Sequence, residues 1–257
     1  MSAKVPAFSD IGKPVKELLS GGKEGVFQYG QTVNLTTRTA DGVEFSLAGS
    51  KKDQTVANTL KANYKFGRYA LEGTVNSGGQ VLASVQASSI APGLDVTLSG
   101  VVPDAASGKA KIKYTLPHLT INALTELTSS PKVELALASG YQNIVAGIET
   151  SYDTNKSDVT KWTAAAGLLM DDYQITAILA DKGETVKLSY AQNVDPETTI
   201  GAEVAHKLQG DSATSVVLGY QRRLRGGGLP RFALSAGFDA TNMEKAPKFG
   251  LAFNIKP

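Results

Sequence analysis

A two-residue alternation of apolar and polar side chains returns along most of the chain, and no apolar run approaches the ~20 residues that a membrane-spanning helix needs. Leu94-Asp95-Val96-Thr97-Leu98-Ser99-Gly100-Val101 is one instance, and Lys109-Ala110-Lys111-Ile112-Lys113-Tyr114-Thr115-Leu116 is another. Successive side chains of a strand point to opposite faces, so each segment presents one apolar and one polar face. The apolar faces carry mostly Leu, Val, Ile, Ala and aromatics, and the polar faces carry Lys, Glu, Asn, Thr and Ser. Segments of about 10 residues that alternate in this way between turns fit an all-β transmembrane β-barrel with lipid outside and water inside. A soluble alternative would have to bury all of these apolar faces between two large packed sheets.

From Val26 onward the pattern predicts seventeen strands, at about 26–38, 43–52, 55–66, 69–76, 80–88, 94–102, 109–116, 118–126, 132–139, 143–152, 162–170, 173–180, 185–193, 198–208, 213–222, 231–239 and 248–256. Turn residues separate them, among them Asp41-Gly42, Asn76-Ser77-Gly78-Gly79, Asp171-Asp172, Asp181-Lys182-Gly183 and Asp195-Pro196-Glu197. Short connectors make sequence neighbours antiparallel neighbours. An odd count then sets the first and last strands parallel where the ring closes.

Residues 1–25 read differently, and residues 26–257 form the barrel. Ser9 or Asp10 can cap a helix that carries Ile11, Val15, Leu18 and Leu19 on one face. Asp10, Lys13, Lys16 and Glu17 take the other positions, and Gly21-Gly22-Lys23-Glu24-Gly25 ends the segment as a hinge. The apolar face needs a partner surface, which places the helix in or against the pore.

Strand parity assigns the charged side chains to the interior. Arg38, Lys61, Lys65, Lys109, Lys111, Lys113, Lys187, Lys207, Arg231 and Lys248 are the basic candidates, and Glu44, Glu72, Asp95, Glu134, Glu149 and Glu203 the acidic ones. The balance is 10 − 6 = +4, which lowers the electrostatic energy of anions in a wet lumen. Lys109, Lys111 and Lys113 put three like charges on one face of one strand. Tyr64, Tyr69, Trp162 and Tyr173 fall at predicted strand ends, where interfacial aromatic girdles sit. Asn58 and His206 fall on the outward parity and interrupt it.

The chain lacks Cys and has only two His, so thiolate chemistry is excluded and no metal site is expected. A net charge of +2 gives no case for nucleic acid as a partner. Gly226-Gly227-Gly228 lacks the Lys-Ser/Thr of a phosphate loop, and no catalytic set has motif spacing. The chain therefore reads as no enzyme, with no cofactor.

Several segments resemble the voltage-dependent anion channel family, the porins of the mitochondrial outer membrane. Pro6-Ala7-Phe8-Ser9-Asp10-Ile11-Gly12-Lys13 followed by Leu18-Leu19 is similar to that family's N-terminal helix, and Asp41-Gly42-Val43-Glu44-Phe45 to its first hairpin. The stretch Lys248-Phe249-Gly250-Leu251-Ala252-Phe253-Asn254-Ile255-Lys256-Pro257 resembles its plant-type ending. Gly93-Leu94 stands where the family has a Gly-Leu-Lys-type motif associated with nucleotides, with Asp95 in place of the basic residue. Val75 stands where animal members carry a lipid-facing Glu. The resemblance implies a voltage-gated, weakly anion-selective diffusion pore for adenine nucleotides, phosphate and small ions. It implies membrane lipids as surroundings and allows a homo-oligomer. The family barrel has 19 strands, so the predicted chain is shorter by two, with the shortfall between Ser212 and Arg231. A preprotein-translocase barrel and a non-conducting outer-membrane scaffold are the alternatives.

Overall fold

Alternation dictates a sheet with unlike faces, and in lipid such a sheet must close on itself. The computed structural model describes residues 5–20, 31–52, 55–209, 213–223, 231–242, 244 and 246–255. They form one seventeen-stranded sheet. The strands are β1 (Gln31–Arg38), β2 (Glu44–Lys52), β3 (Thr55–Phe66), β4 (Tyr69–Asn76), β5 (Val81–Ala91), β6 (Leu94–Val102), β7 (Lys109–Thr115), β8 (Leu119–Glu126) and β9 (Lys132–Tyr141). The ring continues through β10 (Ile144–Asp153), β11 (Asp158–Leu169), β12 (Tyr173–Ala180), β13 (Thr185–Asp195), β14 (Thr198–Lys207), β15 (Thr214–Arg223), β16 (Arg231–Asp239) and β17 (Lys248–Ile255).

Each strand pairs antiparallel with the next, including the stretch from β14 through β15 to β16 where the two-strand shortfall was expected. β1 and β17 then pair parallel, from Gln31 opposite Leu251 to Leu35 opposite Ile255. The seventeen predicted strands are all present, and the parallel closure follows from their odd number. Residues 26–30 of the predicted first strand and residue 256 of the last lie outside the described residues, as do the hinge 21–25 and the turn 224–230.

Turn chemistry sets where strands stop. Asn76 Oδ1 accepts the backbone N–H groups of Gly78 and Gln80 at 3.1 and 3.0 Å, which folds the β4–β5 corner around one amide. Asp153 Oδ1 accepts from Asn155 N–H at 3.0 Å, and Asp195 Oδ1 from Glu197 N–H at 2.7 Å, in the same way. These are side chains that replace a backbone acceptor at the start of a turn.

Three details differ from the sequence reading. β11 begins at Asp158, four residues before its predicted start, because a bulge between Ser151 and Tyr152 lets the polar stretch Asp158–Lys161 join the ladder. Trp162 therefore sits within β11, opposite Thr150, and not at a strand end. The N-terminal helix also starts later. Phe8–Asp10 forms a 3-10 turn, Gly12 takes φ +70°, and α1 runs over Lys13–Ser20, so neither Ser9 nor Asp10 caps it. The left-handed conformation at Gly12 is one that glycine adopts without steric cost. Pro14 falls in the first turn of α1, where its missing N–H breaks no helical bond.

The two faces of the ring differ in what covers them. The face opposite the N-terminal segment carries exposed Leu47, Leu60, Leu98, Ile112, Leu188, Leu218, Leu234 and Phe249, an apolar belt with no protein partner among the described residues. The largest of the fully buried side chains belong to the N-terminal segment itself: Ile11, Val15 and Leu18 are 0, 1 and 1% exposed. This molecule thus has its main core inside the ring, on the wall that the N-terminal segment covers, with a small separate cluster of Ala233 and Ala252.

Leu98 lies at the middle of β6 on the outer face, and its neighbour Thr97 points to the inner face across from Lys111. Leu98→Arg is expected to destabilise the bilayer-inserted protein by about 2–4 kcal/mol, the cost of a cation at the midplane of a barrel's lipid face. Thr97→Arg is expected to cost far less. Equilibrium unfolding from lipid vesicles checks both, and equal costs would mean that the faces are assigned wrongly.

Candidate functional site: the barrel interior

The interior is built by residues of one parity, and the N-terminal segment divides it into two walls. Val5, Phe8 and Ile11 pack on Ala136, Ala138, Val145 and Ala165 of β9, β10 and β11. Val15, Leu18 and Leu19 pack on Ala191 of β13 and Val217 of β15. The Thr120 hydroxyl of β8 donates to the Val5 carbonyl at 2.9 Å. The covered wall thus runs from β8 to β15 and is made of small residues.

Close approach is the reason. A Cβ added at Gly201 would lie 2.6 Å from Leu18 Cδ2, and one added at Gly219 would lie 2.5 Å from Leu19 Cδ2. Both glycines lie on the inner face, in β14 and β15, and leave backbone-deep slots for the leucines. The sequence reading found Ile11, Val15, Leu18 and Leu19 but not Val5 and Phe8. Their signal was present in the apolar run Val5-Pro6-Ala7-Phe8, ahead of the assumed helix cap.

The charged positions occupy the same inner face. Lys61 Nζ lies 2.9 Å from Glu72 Oε2 across β3 and β4. Lys109 stands opposite Glu126, with Nζ to Oε1 at 3.3 Å. Lys111 stands between Thr97 and Leu124 in register, and Lys113 between Asp95 and Asn122. Asp95 Oδ1 accepts from the Ser89 N–H at 2.8 Å. Of the lysine triplet, Lys111 therefore has only neutral residues opposite it on the flanking strands. It shares a recess under Ser9 with Asn122, Glu134 and Glu149.

Lys65 stands opposite Ala70. Lys187 stands opposite Ile178 and Ala205, and Lys207 opposite Thr185. Lys248 takes the position opposite Gly237, Arg231 that opposite Asn254, and Arg38 that opposite Glu44. The register adds Lys132, Asp153, Glu126 and Lys161 to this face, none of which was singled out from sequence. Lys132 and Asp153 face each other at 4.0 Å. Lys161 was missed because the predicted β11 began one residue after it.

On the N-terminal segment, Lys13 lies 3.5 Å from Asp10 and 4.0 Å from Glu17. Lys16, on the same helix, is exposed and stands in the field of two carboxylates of the wall. Partial burial holds its ammonium below the ordinary lysine value, while Glu149 and Glu203 pull it upward. Gly93 takes φ +78° in the β5–β6 corner, where its carbonyl accepts from the Thr115 N–H at 2.8 Å and a Cβ would meet the Thr115 carbonyl. Leu94 stands opposite Tyr114 on the outer face. Turn geometry accounts for the glycine at position 93. Among the described residues there is no group of His, Cys, Asp and Glu that could hold a metal.

The profile of the eukaryotic porin family matches residues 4–229. The chain belongs to the eukaryotic porin family. It is 30% identical to mitochondrial outer membrane protein porin 4 of Arabidopsis thaliana, over 100% of both chains. It is 30% identical to the mitochondrial outer membrane protein porin of 36 kDa of Solanum tuberosum, over 97% of this chain and 98% of that one. It is 31% identical to an outer plastidial membrane protein porin of Zea mays, over 87% and 80%. The crystal structure of Pseudomonas aeruginosa OccK11 (OpdR) superposes with a TM-score of 0.51 at 11% identity, covering 86% of this porin and 90% of that chain, which is a likeness of fold.

This porin is a multi-pass barrel protein of the mitochondrial outer membrane, in a family of channels and not of enzymes. The alignment with the Arabidopsis porin spans 278 positions against 257 residues here, so 278 − 257 = 21 positions have no counterpart in this chain.

Gly219→Val is expected to drive Leu18 and Leu19 out of their slots. Each leucine that loses its burial forfeits about 1.5–3 kcal/mol, while the β15 ladder tolerates valine. Trypsin cleavage after Lys16 should accelerate with strand content unchanged, and the outer-face control Leu218→Val should leave cleavage slow. Slow cleavage in Gly219→Val would contradict the slot.

Proposed function

We propose that this porin is a voltage-gated, weakly anion-selective diffusion pore that passes adenine nucleotides, phosphate and other small ions. The observation that carries the reading is the set of lysines and arginines on the inner face of a ring that leaves one wall uncovered. A water-filled barrel of this strand number conducts by geometry, and fixed cations along its wall raise the local concentration of anions. The basic positions proposed to line the path are Lys61, Lys65, Lys109, Lys111, Lys113, Lys187, Lys207, Arg231 and Lys248. They act by field and not by a built binding pocket, which fits weak selectivity across many small anions.

Voltage dependence has a physical basis in the same charges. Moving one elementary charge through the full membrane potential is worth about 2.3 kcal/mol per 100 mV. A lumen with this many fixed charges, and an N-terminal segment with four of its own at Asp10, Lys13, Lys16 and Glu17, couples conformation to potential if any of them shifts along the axis.

Lys109→Glu, Lys111→Glu and Lys113→Glu together change the lumenal charge by −6, which takes the balance of +4 read from the sequence to −2. Reversal potentials in a salt gradient across a planar bilayer should move from anion preference toward cation preference. Lys111→Glu alone should account for more of the shift than Lys109→Glu, because Glu126 already faces Lys109 at 3.3 Å. Unchanged selectivity in the triple variant would sink the proposal that this strand lines the ion path.

A further inference from the structure

We infer that the recess under Ser9 binds the zwitterionic head of a free α-amino acid, with the ligand's carboxylate on Lys111 and its ammonium on Glu134 and Glu149. The inference goes beyond the pore reading. It concerns equilibrium binding inside the ring and holds for either sign of ion selectivity.

The recess lies where the edge of the N-terminal segment meets the uncovered wall. Ser9 borders it from the segment, and Lys111, Asn122, Leu124, Glu134, Ala136 and Glu149 border it from β7, β8, β9 and β10. The register of the strands orders these side chains. Lys111 stands opposite Leu124, and Leu124 opposite Glu134. In the adjacent row Asn122 stands opposite Ala136, and Ala136 opposite Glu149. The base is therefore on the β7 side, the acids are on the β9–β10 side, and Leu124 and Ala136 form an apolar floor between them. Two strand spacings separate Lys111 from Glu134, about 10 Å at the backbone.

The chemistry of the recess asks for a ligand of both signs. Among the described residues none of its three charged side chains is in a salt bridge, whereas Lys109 on the same strand pairs with Glu126 at 3.3 Å. Ser9, Lys111 and Glu134 are exposed to the interior. The buried Asn122 Oδ1 has no hydrogen-bond partner within the protein. A half-turn of that amide presents the oxygen to the recess, where an N–H donor satisfies it. A simple anion would suit Lys111 but meet two carboxylates, and a metal cation would suit the carboxylates but meet Lys111. A dipolar ligand lying across β8 meets both. Its ammonium has donors enough for both carboxylates and the amide, and its carboxylate accepts from Lys111 and from the Ser9 hydroxyl.

Size narrows the class. The open volume is about 80 Å³, where a single water takes ~10–15 Å³. That admits an ammonium, an α-carbon and a carboxylate, and leaves the rest of a larger amino acid to extend into the lumen. Recognition therefore stops at the head group and tolerates many side chains.

The test uses the full chain refolded in detergent micelles, with L-alanine as the probe and ligand-observed saturation-transfer NMR as the readout. L-alanine should bind saturably with a Kd of about millimolar order. Glycine and L-leucine should bind within about threefold of it, which is under 1 kcal/mol. Propionate and ethylamine each keep one of the two charges, and both should bind at least about tenfold more weakly. Lys111→Met should weaken L-alanine binding by a similar factor, and so should Glu134→Gln combined with Glu149→Gln. Lys156→Met removes an exposed charge from the β10–β11 turn and should leave binding unchanged.

The analogue series is read on the unaltered protein, so it decides the matter even where a variant does not fold. No saturable binding of L-alanine would overturn the inference. Propionate binding as tightly as L-alanine would make the recess an anion site, ethylamine doing so would make it a cation site, and either result overturns it. Leucine binding far more weakly than alanine would contradict the open side of the recess and overturn it too. Equal weakening by Lys111→Met and Lys156→Met would show an effect of overall charge alone, with the same consequence. A protein that binds L-alanine as described but carries no current in bilayers would overturn the pore reading and leave this site standing.

Discussion

Lipid offers the backbone no hydrogen-bond partners, and each unsatisfied N–H or C=O inside it costs several kcal/mol. That single constraint organises the molecule. A sheet with one apolar face can live in the bilayer only if its two edges find each other. With seventeen strands joined by hairpins, the edges meet parallel, and β1 and β17 do so over five residue pairs. The ladder between β6 and β7 has six, so the closing seam is no stronger than the weakest hairpin. It has no covalent turn to hold its register, and the ring stays shut because opening it in lipid is worse.

Closure also creates the second half of the structure. A ring of this size has an interior wider than its own side chains can fill, and the N-terminal segment takes up one side of it. The wall it covers carries Ala136, Ala138, Ala165, Ala191, Gly201 and Gly219, so that leucines reach the backbone itself. The uncovered wall, from β2 to β7, carries no such apolar cluster among the described residues and holds Lys61, Lys65, Lys109, Lys111 and Lys113 in its place. Ion pairs there, such as Lys61 with Glu72 at 2.9 Å, are worth only ~0–1 kcal/mol each when solvated. Their consequence is electrical: they decide which of the lysines present an uncompensated charge to the interior.

Much of this was legible before any coordinates. Period-two alternation identifies a strand and its two faces at once, so the strand count and the closure direction both followed from the sequence. What escaped it were features that depend on contacts between distant segments. The Ser151/Tyr152 bulge let Asp158–Lys161 join β11, and polar residues such as these do not announce a strand. Ser9 and Asp10 have the chemistry of a helix cap, but Gly12 turns left-handed and moves the start of α1 to Lys13. Gly201 and Gly219 look like ordinary strand glycines, and their purpose appears only when Leu18 and Leu19 are laid against them. The relation of Lys16 to Glu149 and Glu203 was invisible for the same reason, since more than a hundred positions separate it from either carboxylate.

The family's barrel has 19 strands, and this porin closes with seventeen. Whether the shorter ring shuts in a membrane is what every statement about its interior depends on. The chain has no cysteine of its own, which makes the seam directly measurable. Gln31 and Leu251 are register partners across it on the outer face, so Gln31→Cys with Leu251→Cys should oxidise to an intramolecular disulfide in lipid vesicles, and the cross-linked protein should still conduct. Leu47→Cys with Leu60→Cys, partners in the β2–β3 hairpin, provides the positive control. A hairpin pair that cross-links while the 31–251 pair stays reduced would mean an open ring, and would contradict the account.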